Sequence, residues 1–355
     1  MTRRLTHLRQ RGLSLIELMI AMTISLLVIG AVSGVYLTSS RNYTQDEMLS
    51  RMQENARYAL HVLAEDLTMA GYWGPILSSD DINTVPRSCT SSSTATECLG
   101  LSQQSALSIS TDCTPGTVGL GSDWAVSLAI PLELASEVSS GSAATSSFSC
   151  IDATEFETGS DILVVKRVEG AELASGRDDS DDTGDIFIRT DGTEAMLFRY
   201  TPALDVSEGA GISDWRYRSN IYYIRNHFTD PGDGVPTLVR EKLIGNSIQT
   251  EPGGVAQAIE YFHVMLGIDT DSDAIANFYT SSPAVAQLNN VVTARIYVLA
   301  RSAAPDPNYV NDKTYNLGDV TRDFSGSPDN FYRRVFTATV SLRNQRNRIN
   351  TTSGT

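Results

Sequence analysis

Residues 11–37 read RGLSLIELMIAMTISLLVIGAVSGVYL, and the run from Leu13 to Leu37 decides the architecture. Its 25 residues are apolar apart from a few small polar side chains and one charge, Glu17. That length crosses a bilayer as a helix with some tilt to spare. Before it, Arg3, Arg4, Arg9 and Arg11 occur without an acid, so the start of the chain is expected to stay cytoplasmic and residue 38 onward to be exported. Neither the length of the run nor its flanks fit an ordinary secretory signal. An ionisable group held in a lipid-facing helix is costly and marks a function, and Glu17 is therefore the first candidate functional residue.

The helix is expected to continue past the membrane. No proline occurs from Leu13 to Gly74, and Leu49, Met52, Ala56, Ala59, Leu60, Leu63 and Leu67 recur at steps of three and four, which makes one apolar stripe. A helix over 13–69 would be about 85 Å long at 1.5 Å per residue. Its outer half is expected to lie on a globular domain and its inner half to project. Gly30 and Gly34 fit G-x-x-x-G, which either lets two membrane helices approach closely or eases the packing of one long helix in a bundle.

The whole chain carries 42 acidic and 27 basic residues, a net charge of −15, which argues against broad binding to nucleic acid or to an anionic membrane surface. The balance is uneven, since no Lys or Arg lies between Arg87 and Lys166. The cysteines Cys89, Cys98, Cys113 and Cys150 fall in that stretch without zinc spacing, so disulfides in an oxidising compartment are expected. Three pairings are possible; closure of neighbouring loops favours Cys89–Cys98 with Cys113–Cys150. Ser and Thr make up 24 of the 63 residues from Ser88 to Cys150, so this region is expected to be an irregular surface insertion with little to bury, stapled by its cysteines.

Beyond residue 160 the pattern turns to strands: DILVVKRV from 161, DIFIRT from 185, EAMLFRY from 194, NIYYIRNHF from 220, PTLVREKLI from 236, AIEYFHVMLGID from 258, VVTARIYVLARS from 291 and FYRRVFTATVSLRN from 331. In the last, Phe336, Ala338, Val340 and Leu342 alternate with Val335, Thr337, Thr339 and Ser341, as in a half-buried strand. The expected fold class is α+β, a long N-terminal helix packed on a mostly antiparallel sheet with a disulfide-tied insertion.

Catalytic patterns are missing from the sequence: there is no G-x-S-x-G, H-E-x-x-H, G-x-G-x-x-G or P-loop, and His61, His227 and His263 assemble no triad order. No enzyme and no cofactor is expected. Asp269, Asp271 and Asp273 begin like a calcium loop, but Ala274 replaces the turn glycine and Thr280 the bidentate Glu, leaving them weak metal candidates. Arg333, Arg334, Arg343, Arg346 and Arg348 are read as a solvated strand end and tail rather than a nucleic-acid site.

Arg11-Gly12-Leu13-Ser14-Leu15-Ile16-Glu17-Leu18-Met19 resembles the class III prepilin signal, in which a basic leader ends in Gly and an apolar residue, most often Phe, starts the mature protein. The resemblance implies cleavage by prepilin peptidase between Gly12 and Leu13, methylation of Leu13, and an assembly role for Glu17. ARYALHVLAEDLTMAGYWG from 56, SDILVVKRV from 160, IEYFHVMLGIDTDSD from 259, ARIYVLARS from 294 and RRVFTATVSLRNQR from 333 resemble the PilW-type minor pilins. That branch implies a non-catalytic subunit that primes pilus assembly near the tip, with other minor pilins, the major pilin and a non-pilin tip adhesin as partners. The implied layout is a leader over 1–12, a transmembrane and pilus-core helix over 13–37, its amphipathic continuation over 38–70, the insertion over 71–159 and a β-rich head over 160–355. Its implied location is the inner membrane with a periplasmic head, then the pilus tip. A minor pseudopilin of a type II secretion system and a pilus-borne surface-binding module are the alternatives.

Overall fold

The computed structural model describes residues 14–83, 107, 109–110, 112–113, 124–173, 184–200 and 211–344. The chain divides into two units, Met1–Ser50 and Arg51–Thr355. Helix α1, Leu15–Met69, starts in the first and ends in the second. In the first unit every described residue from 14 to 44 is exposed. Among the described residues, α1 is the one helix long and apolar enough to cross a membrane.

In the second unit α1 buries Met52, Ala56, Ala59, Leu63, Asp66 and Leu67, so five of the seven stripe residues enter the core while Leu49 and Leu60 stay half-buried. Two alanines in the stripe keep the helix surface low where it packs. The helix stops because Gly71 takes a left-handed conformation, φ 69°, which only glycine adopts without strain. The chain then joins β3 (Ile162–Val168): Gly71 donates its N–H to the Lys166 carbonyl and Tyr72 accepts from Val168. Gly74, also left-handed, lies so close to the Trp215 ring that a Cβ would sit 2.9 Å from it.

One sheet contains β1 (Ile82–Asn83), β2 (Leu132–Ala135), β3, β4 (Ile186–Thr190), β5 (Ala195–Arg199), β6 (Ser213–Arg225), β7 (Thr237–Ile244), β8 (Ser247–Thr250) and β9 (Ala256–Gln257). Its spatial order is β1-β5-β4-β6-β3-β2, with β7 added to β6 and flanked by β8 and β9. Only the β1–β5 pair is parallel. The thirteen-residue β6 is the hub, pairing with β4, β3 and β7 along its length.

A second, wholly antiparallel sheet runs β11-β10-β12-β15, from β10 (Ile259–Ile268), β11 (Phe278–Thr280), β12 (Val291–Arg301) and β15 (Arg333–Ser341). β13 (Thr314–Asn316) and β14 (Thr321–Asp323) form a separate hairpin. All eight strand segments read from the sequence form strands, and the α+β class holds.

The insertion corrects the expectation of a coreless loop. Trp124, Ala125, Val126, Leu128, Val138, Ala144, Phe148, Ile151 and Phe156 are buried in the same core as Trp73, Tyr217, Ile221 and Val239. These residues arrive singly, from a 3-10 turn, the short β2 and helix α2 (Gly141–Ser147, capped by Ser140), so no period betrays them. The bond between Cys113 and Cys150 matches the pairing favoured by loop closure. Cys89 and Cys98 lie outside the described residues.

Candidate functional site

The candidate site residues Gly12 and Leu13 also lie outside the described residues, which begin at Ser14. Ser14 is the N-cap of α1. Its carbonyl accepts from the Leu18 N–H, and its hydroxyl accepts from the Glu17 N–H at 3.2 Å. In return the Glu17 carboxylate accepts from the Ser14 N–H at 3.1 Å. This reciprocal pair is a capping box, S-x-x-E, and it satisfies two donors that a helix start leaves orphaned. The motif is legible in the sequence as Ser14-Leu15-Ile16-Glu17. Gly30 and Gly34 lie farther along α1, and a Cβ on either would meet nothing within 4 Å.

Asp66 is the functional-looking residue that the stripe concealed. It is buried on the apolar face of α1, and Arg167 of β3 donates to its Oδ1 from Nε at 2.8 Å and Nη2 at 2.6 Å. Its Oδ2 accepts from Asn220 Nδ2 and Tyr222 Oη of β6, both at 2.5 Å. Burial, and then the neighbouring Asp66 charge, push the Tyr222 phenol well up, so it serves as a neutral donor. Four donated hydrogen bonds thus fasten the end of the helix to two strands of the first sheet. An acid at a step of three from Leu63 was the signal in the sequence.

A second buried charge fastens the insertion. Lys166 of β3 is fully buried, and its ammonium donates to the carbonyls of Trp124 at 2.9 Å and Ser127 at 3.2 Å and to Glu133 at 3.4 Å. It also lies 4.1 Å from the Trp124 ring centroid. Burial pulls the Lys166 ammonium down, with the Glu133 and Asp112 carboxylates opposing. The Trp124 indole donates to Glu133 at 2.9 Å, and the Tyr217 hydroxyl to the Ala125 carbonyl at 2.7 Å. Every donor of the ammonium is used, so the arrangement holds structure in place and exposes no nucleophile.

Asp269, Asp271 and Asp273 do come together, each offering a carboxylate oxygen within 4.8 Å of the others. Asp269 is already engaged, accepting from the N–H groups of Asp271, Ser272 and Ala274 at 2.7–3.1 Å. Burial would raise its carboxyl, but these donors outweigh that and lower it. Two histidines are buried, and His263 bridges Asp161 and Asp319. Arg333 is not solvated as expected: it is buried, grips Glu260 and Asp329 through paired hydrogen bonds of 2.5–2.8 Å, and lies 3.8 Å from the Phe324 ring. Arg346 and Arg348 fall outside the described residues.

Residues 7–33 match the prokaryotic N-terminal methylation motif, and residues 221–344 match the family described as Type IV Pilus-assembly protein W, PilW. No curated protein matches the chain. Among solved structures, a type IV-like pilin from Thermus thermophilus is similar at 12% identity, over 52% of this chain and 78% of that one, with a TM-score of 0.28. The methylation motif overlies the start of the apolar helix, and the PilW match spans the C-terminal part of β6 through β15. Over these two stretches the chain is similar to PilW-type type IV pilins.

Proposed function

We propose that this chain is a non-catalytic minor pilin that primes type IV pilus assembly and sits at or near the pilus tip, joined to other pilins by helix packing and head contacts. The observation that carries the reading is one continuous helix, Leu15–Met69, that opens within the methylation motif as an exposed apolar segment and ends fastened to a folded head. An exposed apolar segment of this kind is soluble only in a bilayer or against other such helices. Leader removal between Gly12 and Leu13 keeps that segment on the head, as an assembling subunit requires. The head stays in the periplasm until the helix leaves the membrane with its partners. Glu17 aligns the subunit with its neighbour, and Gly30 and Gly34 leave room for a neighbouring helix.

The test is the fate of Gly12→Val. A peptidase that fits the backbone at a residue without a side chain is expected to leave this variant at precursor size in the inner membrane, while the wild type yields a methylated Leu13 by mass spectrometry. A fully processed Gly12→Val, or a wild-type protein never cut at Leu13, removes the basis of the reading.

A further inference from the structure

The second sheet ends in two open edges that differ in charge. In the β12–β15 ladder, Leu342 donates its N–H to Val292 and Tyr332 accepts from Ser302. Ladder bonds alternate along an antiparallel strand, so even-numbered residues of β15 face β12 and Val335, Thr337, Thr339 and Ser341 turn their N–H and C=O groups outward. No described residue pairs with that edge. On one face of β15, Phe336, Ala338 and Val340 are only half-buried, whereas Val298, Ile296 and Ala294 opposite them on β12 are fully buried. Arg343, just past the strand, is exposed.

The opposite edge is β11. In β10 the N–H groups of Phe262 and Val264 turn away from β12, toward Ser160 and Asp161. By the same alternation Leu266 and Ile268 face β11, their partners Thr280 and Phe278 face back, and Tyr279 directs its backbone outward. Phe278 is 40% exposed and Ile275 is 64% exposed. Cross-strand pairing through Leu266 puts Phe278 on the same face of the sheet as Phe336, Ala338 and Val340. The loop leading into β11 carries the exposed Asp271 and Asp273. It lies at the end of the sheet where β15 finishes, because Ile268 pairs with Val291 and Thr293 with Ser341.

We infer that the open edge of β15 docks the β11 edge of a second copy of this chain, continuing the sheet from head to head. Directions alternate across β11-β10-β12-β15, so a neighbour of the same polarity presents its β11 antiparallel to β15. That placement brings the neighbour's Asp271 and Asp273 beside Arg343 and its Phe278 beside the half-buried apolar face. Self-pairing of two β15 strands is disfavoured, because the antiparallel alignment centred on Ala338 sets the exposed Arg343 of each copy beside the exposed Arg334 of the other. A head-to-tail contact of unlike edges does not close on itself. The shared polarity of neighbours is the only element taken from the pilin reading.

The experiment is sedimentation velocity on the full chain in detergent micelles, with circular dichroism to confirm that each variant is folded. Wild type is expected to self-associate with rising concentration. Arg343→Glu alone, and Asp271→Lys with Asp273→Lys, are each expected to weaken this about tenfold or more by setting like charges against each other. Mixing the two variants is expected to restore association at one-to-one composition, since the acidic β15 edge of one then meets the basic β11 edge of the other and the two unaltered edges meet as well. Thr339→Pro removes an outward N–H without touching the β12 ladder and is expected to abolish association in every background. Association unchanged in all variants, no self-association of wild type, or no complex in the mixture each overturns the contact. None of these results depends on leader processing, so they are distinguishable from failure of the Gly12→Val test.

Discussion

His263 sits between two carboxylates that are remote in sequence. Its Nδ1 is 3.1 Å from Asp161, just before β3, and its Nε2 is 2.7 Å from Asp319, in the turn between β13 and β14. Asp161 also accepts from the N–H groups of Val264 and Glu137, and Asp319 from the Ser281 hydroxyl. Burial pulls the His263 imidazole down, but Asp161 and Asp319 outweigh it and raise it above its ordinary value. A raised folded-state value makes the clamp's contribution fully present below about pH 6.5, the unfolded value, and lost as pH climbs through the raised one. His263→Gln is therefore expected to cost about 1.5–3 kcal/mol of unfolding free energy at pH 6, the scale of hydrogen bonds to charged groups. The gap between variant and wild type should narrow by pH 9, as urea denaturation at the two values will show; an equal gap at both removes the charge from the account. In the sequence His263 assembles no triad order, and the partners it bridges lie 102 and 56 residues away.

At the scale of elements, the end of α1 is held by polar as well as apolar contacts. Asp66→Ala would leave the half-buried Arg167 guanidinium without its carboxylate, together with the Asn220 and Tyr222 donors. The expected cost is about 3–5 kcal/mol, as for other broken buried pairs. Leu63→Ala, which opens a cavity in the same stripe, is expected to cost about 2–5 kcal/mol. The two are separable by Arg167→Met combined with Asp66→Leu, which removes both charges and should recover most of the loss of Asp66→Ala. No recovery in thermal unfolding would mean that Asn220 and Tyr222, not the ion pair, set the cost. The strands and the helical stripe were legible because each repeats a period over many residues, as in Ile162–Val168 and Met52–Leu67. The partners of Asp66, Lys166 and Trp124 were not, because they lie on other elements and no local pattern encodes them. The apolar face of β15 was legible as alternation, but not that Phe336, Ala338 and Val340 stay half-covered, which depends on its place at the sheet edge.

For the whole molecule the proposed assembly turns on what Glu17 does as the helix leaves the bilayer. Its carboxylate has a partner within the chain, the Ser14 N–H, and that contact alone gives it a structural purpose. The capping bond does not require a charge, since Gln serves the same position in capping boxes. A partner amine does require one: on the proposed cleavage the amino group of Leu13 would be a cation, and a charge-assisted bond to it in the low dielectric of a helix bundle is about twice as strong as a neutral one. The two roles therefore separate on Glu17→Gln and Ser14→Ala. Ser14→Ala removes the cap, at a cost of about 1 kcal/mol to the first turn of a helix otherwise held by lipid or neighbours, and leaves the charge in place. If Glu17 works between subunits, Ser14→Ala is expected to be processed and to assemble nearly as wild type, whereas Glu17→Gln is processed, accumulates in the membrane and is recovered from few or no pili. Immunoblots of the sheared pilus and membrane fractions read both outcomes. The reverse pattern, with Glu17→Gln assembled and Ser14→Ala lost, would make Glu17 a cap and leave subunit recruitment to the head and the apolar helix surface.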